Sequence, residues 1–184
     1  MFLVVDMCYE RCSLSREEFV EPVAEVVGRV DDYKVVHALD LDKKTVLEAE
    51  KVVLCGTALK NDKYFGFVDR FGWVRDEKLV KPVLGICAGM QVVGILFNAK
   101  LIKRKEIGMT KIFVRRKNRI FGDKKVFHAY ELHKYAISKP EQFLILAESE
   151  KCIQAIKHEK KPIYGVLFHP EVRNREIITN FLGL

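Results

Sequence analysis

The sequence predicts an α/β fold with an open, mostly parallel twisted sheet, helices on both faces and antiparallel strands added in the C-terminal half. Four short apolar runs in the first half have the length of parallel strands, and crossover helices fit between them: residues 2–6, 34–38, 51–55 and 83–86. Five strand-like runs then follow without long helices: residues 110–116, 125–127, 143–147, 153–157 and 163–168. A length of 184 residues, 49% of them hydrophobic, fits one domain over 1–184.

Helices are predicted at three places between and after these strands. Ser15 with Glu18 resembles a capping box and predicts a helix that ends near Gly28. A second helix is expected over residues 88–97, directly after the fourth strand. The last begins near Arg173 and carries three apolar residues on one face, namely Ile177, Ile178 and Phe181.

The most informative residue is Cys87, because it stands where an apolar strand stops and an apolar helix begins. Such a turn is typical of a nucleophile elbow, in which the helix N-terminus lowers the pKa of the thiol and leaves backbone N–H groups for an oxyanion. Gly85 and Gly89 flank the cysteine where a side chain would crowd the turn. A small buried thiol in the core is the alternative interpretation.

A second segment supplies a base and a carboxylate. His169 and Glu171 follow the last predicted strand, and Pro170 between them is expected to keep the chain extended, so that both side chains face one pocket. A cysteine, a histidine and a carboxylate together fit the roles of nucleophile, base and orienting group. Taken alone, a loop histidine with a solvated glutamate is the other interpretation of this segment.

These two motifs resemble those of the class I, triad-type glutamine amidotransferases. Residues 85–91 read Gly-Ile-Cys-Ala-Gly-Met-Gln, where that family has Gly-x-Cys-x-Gly-His-Gln. Residues 165–171 read Gly-Val-Leu-Phe-His-Pro-Glu, where the family has Gly-Val-Gln-Phe-His-Pro-Glu. The similarity extends over essentially the whole chain, and within the family residues 143–149, 152–159 and 163–172 are most similar to the glutaminase subunit of GMP synthase.

The resemblance implies a flavodoxin-like fold and a glutaminase that works through Cys87, His169 and Glu171, with no metal or cofactor. It implies an oxyanion hole at Gly56, Thr57 and Ala88 and substrate contacts from Gln91 and His133, although local hydrogen bonding is the alternative for Gln91. Glutamine would be the substrate, and the ammonia would pass to a separate ATP pyrophosphatase-type synthetase subunit. A stand-alone hydrolase of γ-glutamyl or related amides and a regulatory binding module are the alternative functions.

Three departures from the family pattern fall near the expected site. Cys55-Gly56-Thr57-Ala58 stands where the family has Gly-Gly-Pro, Met90 replaces a histidine, and Leu167 replaces a glutamine. The Ser-His segment of the family has no clean counterpart, although His128 and His133 lie nearby. We expect Thr57 to leave the oxyanion hole incomplete in the resting protein, because a β-branched residue resists the backbone conformations open to glycine.

Charge and cysteine content narrow the function classes. The net charge is +7, and much of the excess lies in residues 100–119, where we expect a solvated or partner-facing surface rather than a nucleic-acid site. No membrane span is expected, and a cytoplasmic location is predicted. The cysteines are odd in number and form neither a disulfide scaffold nor a zinc motif: Cys8, Cys12, Cys55, Cys87 and Cys152.

Overall fold

The structure is a computed structural model that describes residues 1–11 and 13–184, so Cys12 lies outside the described residues. Its strands are β1 (Phe2–Asp6), β2 (Tyr33–His37), β3 (Val52–Leu54), β4 (Val83–Ile86), β5 (Leu101–Val114), β6 (Val126–Ile137), β7 (Phe143–Glu148), β8 (Ile153–His158) and β9 (Ile163–Val166). Its α-helices are α1 (Leu14–Phe19), α2 (Glu21–Gly28), α3 (Lys43–Glu48), α4 (Ala88–Leu96) and α5 (Glu176–Leu182). Two 3-10 segments lie at Ala38–Asp40 and Lys63–Arg75.

The nine strands form one sheet in the order β2-β1-β3-β4-β9-β8-β7-β5-β6. The first five are parallel to one another, and their order is that of flavodoxin-like folds. The remaining four are added in antiparallel orientation. This confirms the predicted fold class, although the antiparallel part is more extensive than predicted, because β5 has 14 residues and β6 has 12.

Alternating residues along the parallel strands build a core on each face of the sheet. Val4 packs into the core that α2 and α5 cover, and its neighbours Leu3 and Val5 belong to the core on the face of α4. The predicted apolar face of the last helix is confirmed, since Ile177, Ile178 and Phe181 are fully buried. Among the described residues, no helix combines the length and the apolar character needed to cross a bilayer.

The sheet is so strongly curled that β6, the last strand in its order, lies against the end of β9, a strand from its middle. β6 is the final strand in the order, yet the Tyr130 carbonyl on β6 accepts a hydrogen bond from the His169 amide just beyond β9, at 2.8 Å. The Leu167 amide likewise donates to the Gln154 carbonyl on β8 at 2.9 Å. This curl places β6 beside the carboxyl ends of β4 and β9.

The capping-box prediction for the first helix is wrong. Ser13, not Ser15, precedes α1, and its side chain makes no capping hydrogen bond. The expected single helix is also divided, because α1 ends at Phe19 and α2 begins at Glu21 with Pro22 in its first turn. Proline lacks an N–H and is favoured at a helix start, where that group has no intrahelical acceptor.

The N-terminus of α4 packs against the sheet backbone without space for side chains. A Cβ added at Gly89 would lie 2.3 Å from the Leu54 carbonyl oxygen, and one at Gly85 would lie 2.5 Å from the Gly89 carbonyl carbon. Both distances are far below van der Waals contact, and the neighbours are backbone atoms that cannot rotate away. The two glycines therefore allow the helix to start directly above β3 and β4.

We expect Gly89→Ala to lower the free energy of unfolding by about 1–3 kcal/mol, because the added methyl group must displace the backbone of β3. Urea denaturation measures this change. Gly66→Ala is the matched control, since a Cβ there meets no atom within 4 Å, and it should not destabilise the protein. Equal stability of the two variants would contradict the tight packing described for α4.

Candidate active site

Cys87 occupies a strained turn between β4 and α4. Its φ is 48° and its ψ is −102°, a conformation that is rare for any residue other than glycine and costs about 1–3 kcal/mol. The Cys87 amide donates to the Val166 carbonyl at the end of β9 at 2.8 Å, which fixes the turn to the neighbouring strand. The thiol therefore stands at the carboxyl edge of the parallel strands, where open α/β sheets place their ligands.

His169 and Glu171 form a buried pair at the same edge. Both side chains are fully buried, and His169 Nδ1 lies 2.6 Å from Glu171 Oε1. A carboxylate oxygen can only accept, so Nδ1 carries the hydrogen and donates it. The orienting contact leaves Nε2, the other ring nitrogen, without a hydrogen bond of standard geometry among the described residues.

The expected extended chain at Pro170 is wrong, although the pair forms. The Val172 amide donates to the His169 carbonyl at 3.3 Å, so residues 169–172 form a turn with Pro170 in its second position. Proline favours that position of a β-turn as strongly as it favours extended chain, because its fixed φ suits both. The turn folds the Glu171 carboxylate back onto the imidazole.

Gly56 lies between the imidazole and the cysteine. A Cβ at Gly56 would be 2.6 Å from His169 Cε1 and 3.5 Å from Cys87 Cβ, so only glycine fits there. Burial disfavours a charge on His169, but Glu171 and Cys87 outweigh it and raise the pKa of the imidazole well above its usual value. Glu171 therefore favours a positive charge on this ring once it has accepted a proton.

Thr57 and Ala88, the residues expected to provide backbone N–H groups, line the same pocket as Cys87. Ala88 is the first residue of α4, so its N–H has no acceptor within the helix. Thr57 follows Gly56 and is buried, and its φ is not among the positive values found at Cys87 and three asparagine or glutamine residues of the described chain. Its hydroxyl accepts a hydrogen bond from the Asn61 side chain at 2.9 Å.

The pocket beside the thiol is narrow. Its cavity has a volume of about 20 Å³, room for about one water molecule. The Gln91 side chain donates to the Tyr135 carbonyl at 2.8 Å and accepts from the Tyr64 hydroxyl, so both ends of its amide are occupied. Glutamine therefore requires Tyr64 or the adjoining loop to move before it reaches Cys87.

The two histidines expected near the site have different surroundings. His133 lines the pocket, and its buried ring contacts Glu106 and Glu131. His128 is exposed on β6 and does not line the pocket. Of the two, only His133 has a position from which it contacts the site.

Two positions at which an apolar residue replaces a polar residue of the family motifs, Met90 and Leu167, lie in the core. Met90 is fully buried and so close to Gly165 that a Cβ on the glycine would lie 2.8 Å from Met90 Cγ. Leu167 is fully buried in the same core cluster. Both residues pack the face of the sheet below α4, which explains why apolar side chains are accommodated there.

Sequence reasoning missed Tyr64, Asn61 and Leu132, all of which line the pocket. The Leu132 carbonyl lies 3.8 Å from the Cys87 sulfur and accepts from its thiol. No local pattern marks these residues, because the curl of the sheet and the 3-10 segment after Asn61 bring them to the thiol.

Fold and motifs together define the class of protein. The chain belongs to the glutamine amidotransferase class-I family, whose profile matches residues 19–182, and it is an enzyme of that class. One subunit of the glutamine-hydrolysing GMP synthase of Methanocaldococcus jannaschii is 40% identical over 109 residues, which are 54% of this chain and 58% of that protein. The same subunit of Thermoplasma acidophilum is 33% identical over 154 residues, 79% of this chain and 76% of that protein.

Solved structures give the same result. A crystal structure of a Thermoplasma acidophilum protein described as a subunit of GMP synthase superposes with a TM-score of 0.86 at 29% identity, covering 99% of this chain and 92% of that one. A glutamine amidotransferase from Thermotoga maritima has a TM-score of 0.72 at 19% identity, covering 99% and 80%. The second similarity concerns the fold alone.

We expect Cys87 to be alkylated by iodoacetamide at neutral pH at least about tenfold faster than Cys8 or Cys55, because His169 stands ready to hold its proton. Burial raises the pKa of the Cys8 and Cys55 thiols. Mass spectrometry of timed digests gives the rate at each peptide. Faster labelling of Cys8 would show that the surroundings of Cys87 do not activate it.

Proposed function

We propose that this chain is a glutaminase that hydrolyses the side-chain amide of glutamine and delivers the ammonia to a separate synthetase subunit for GMP synthesis. The observation that carries the proposal is the buried His169–Glu171 pair at 2.6 Å, set beside Cys87 where Gly56 borders both the imidazole and the cysteine. Membership of the amidotransferase family supports it, as does the similarity to proteins named as subunits of GMP synthase.

The mechanism assigns one role to each member of the triad. His169 takes the proton of the Cys87 thiol, and the thiolate attacks the amide carbon of glutamine to form a tetrahedral intermediate. The imidazolium, stabilised by Glu171, then returns the proton to the leaving ammonia. Water attacks the γ-glutamyl thioester, with His169 again accepting a proton, and glutamate leaves as the thiol is restored.

The oxyanion of each tetrahedral intermediate requires backbone donors. We assign this role to the N–H groups of Ala88 and Thr57, with Gly56 providing the space beside the triad. Gln91 and His133 are proposed to contact the substrate once the pocket opens. In this structure the Gln91 amide is already engaged by Tyr64 and Tyr135, which supports a resting form of low activity.

A synthetase subunit is the proposed partner, and residues 1–184 are proposed to be one domain. A single sheet contains strands from both halves of the sequence, which supports the domain assignment. Opening of the 3-10 segment Lys63–Arg75 would admit glutamine, and contact with a partner is a reasonable trigger for it. Ammonia would then be released only where an acceptor is present.

The direct test is glutamate release from glutamine, measured for the chain alone and with an archaeal GMP synthetase subunit. We expect Cys87→Ala to abolish release while the far-ultraviolet circular dichroism remains that of the wild type, because no other group forms the thioester. Cys55→Ala is the control, a fully buried cysteine at the end of a neighbouring strand. Turnover retained in Cys87→Ala would refute the covalent mechanism.

Glu171→Gln should lower kcat/KM by more than tenfold and still leave measurable activity, because an orienting group generally contributes less than a nucleophile. The raised pKa of His169 also depends on the Glu171 charge, so its removal should move the acid limb of the pH–rate profile, where His169 is protonated and cannot accept the thiol proton, to lower pH. Measurement of kcat/KM against pH for the wild type and for Glu171→Gln tests both expectations. A loss as complete as that of Cys87→Ala, or an unmoved limb, would show a different role for Glu171.

Thr57→Gly should raise the basal rate at saturating glutamine without a partner, because glycine permits the backbone rotation that turns the N–H toward the oxyanion. The rate of glutamate release by wild type and variant at equal concentrations measures the effect. Ala58→Gly at the next position is the matched control and should change the rate little. An unchanged or lower rate in Thr57→Gly would mean that the N–H is already correctly directed.

A further inference from the structure

A second group of cysteine, histidine and glutamate lies outside the proposed triad. It consists of Glu106 on β5, His133 on β6 and Cys152 just before β8, and one ligand atom from each residue lies within 4.8 Å of the others. Glu106 and His133 are buried, and Cys152 is partly exposed. The proposed reaction uses the chemistry of none of these side chains except for a substrate contact from His133.

The sheet itself builds this group. Glu106 and His133 are directly opposite each other across the β5–β6 pair, next to an irregularity in register between Lys103 and Glu106. Such a bulge redirects side chains, and Glu106 is buried although the five residues before it are exposed. Glu131 lies two residues before His133 on β6 and therefore points to the same face.

The donor atoms of Glu106, His133 and Cys152 lie close to the separations of a tetrahedral zinc site, with the distance between sulfur and oxygen slightly shorter. Cys152 Sγ lies 3.1 Å from Glu106 Oε2, and His133 Nε2 lies 3.5 Å from the same oxygen. Glu131 Oε2 lies 3.2 Å from His133 Nε2. Bonds of about 2.0 Å to nitrogen or oxygen and 2.3 Å to sulfur place the ligand atoms of tetrahedral zinc roughly 3.2 to 3.7 Å apart.

The histidine is oriented as a metal ligand. His133 Nδ1 lies 3.0 Å from the Arg104 carbonyl oxygen, which can only accept, so Nδ1 carries a hydrogen. This leaves Nε2 directed at the two carboxylates. Histidine ligands of metals are generally held by such a bond from the second ring nitrogen to a carbonyl or carboxylate.

An ion pair alone does not satisfy this cluster. His133 Nε2 faces Glu106 and Glu131 at 3.5 and 3.2 Å, but among the described residues it makes no hydrogen bond of standard geometry to either carboxylate. A buried polar atom without such a bond is costly. A cation bound by Glu106, His133 and Cys152 would give Nε2 a direct partner.

We propose that Glu106, His133 and Cys152 bind a zinc ion, with the fourth position of the tetrahedron left to a water molecule. Gln154 Nε2 already donates to Glu106 Oε2 at 3.1 Å, which holds that carboxylate in place. On binding, the Cys152 thiol and the His133 imidazolium each lose one proton to solvent, the sulfur bonds to the metal, and Nε2 donates its freed lone pair. No redox step is involved.

The site would brace the wall of the catalytic pocket. Leu132 lies between Glu131 and His133, and its carbonyl is the group 3.8 Å from the Cys87 sulfur. An ion that holds His133 therefore fixes the strand segment beside the thiol. The structural effect does not depend on the proposed glutaminase activity, so it can be tested without turnover.

Cobalt and zinc binding to the Cys87→Ala protein test the proposal, because this background removes a thiol that could bind metal in the triad. We expect one Co²⁺ per chain with the near-ultraviolet charge-transfer band of a thiolate ligand, and displacement by Zn²⁺. Adding Cys152→Ala should abolish the band and weaken zinc binding by about 100-fold or more, since even outer-shell changes cost 10- to 100-fold.

Cys87→Ala with Cys8→Ala is the matched control and should retain the band, because Cys8 lies outside the group. Zinc should also raise the melting temperature of Cys87→Ala but not of Cys87→Ala with Cys152→Ala, which shows that both fold and differ only in the site. Absence of the thiolate band in Cys87→Ala, or its persistence without Cys152, would overturn the proposal.

Discussion

The hydrogen bond from the His169 amide to the Tyr130 carbonyl is the contact on which the arrangement of the site depends. It joins the last strand of the sheet order to the end of β9 and thereby closes the curl. Without it, β6 would lie at a distant edge and Leu132, His133 and Tyr135 would not face the thiol. The same bond fixes the backbone of His169, the proposed base, so the pocket wall and the proposed triad are positioned together.

Strain and close packing are concentrated on the other side of the pocket. Cys87 has a positive φ, and the glycines that flank it permit backbone contacts that no side chain would allow. These costs are local, whereas the stabilisation comes from the two cores above and below the sheet. A rigid scaffold of this kind holds a reactive geometry that an isolated segment would not maintain.

The parts of the site that are encoded locally were predictable from the sequence. Cys87 and the His169–Glu171 pair each follow a strand directly, so their place at the sheet edge follows from strand order alone. Tyr64 and Leu132 were not predictable, because only tertiary structure brings them to the thiol. The capping-box prediction failed because serine and glutamate at that spacing are common, and Pro22 decided where the helix began. The proposed metal-binding group has no local sequence motif, because its three residues come from separate parts of the chain.

The hydrogen bond between Tyr64 and Gln91 has a consequence for inhibition. A glutamine analogue with an electrophilic side chain needs the same space as the substrate, and the narrow pocket holds no more than about one water molecule. Its rate of inactivation would therefore be limited by how often the tyrosine swings aside, and not by the reactivity of its electrophile. Compounds that take over the hydrogen bond of the Tyr64 hydroxyl to the Gln91 amide would select the open form. The position of Tyr64 would then control the access of such inhibitors to Cys87.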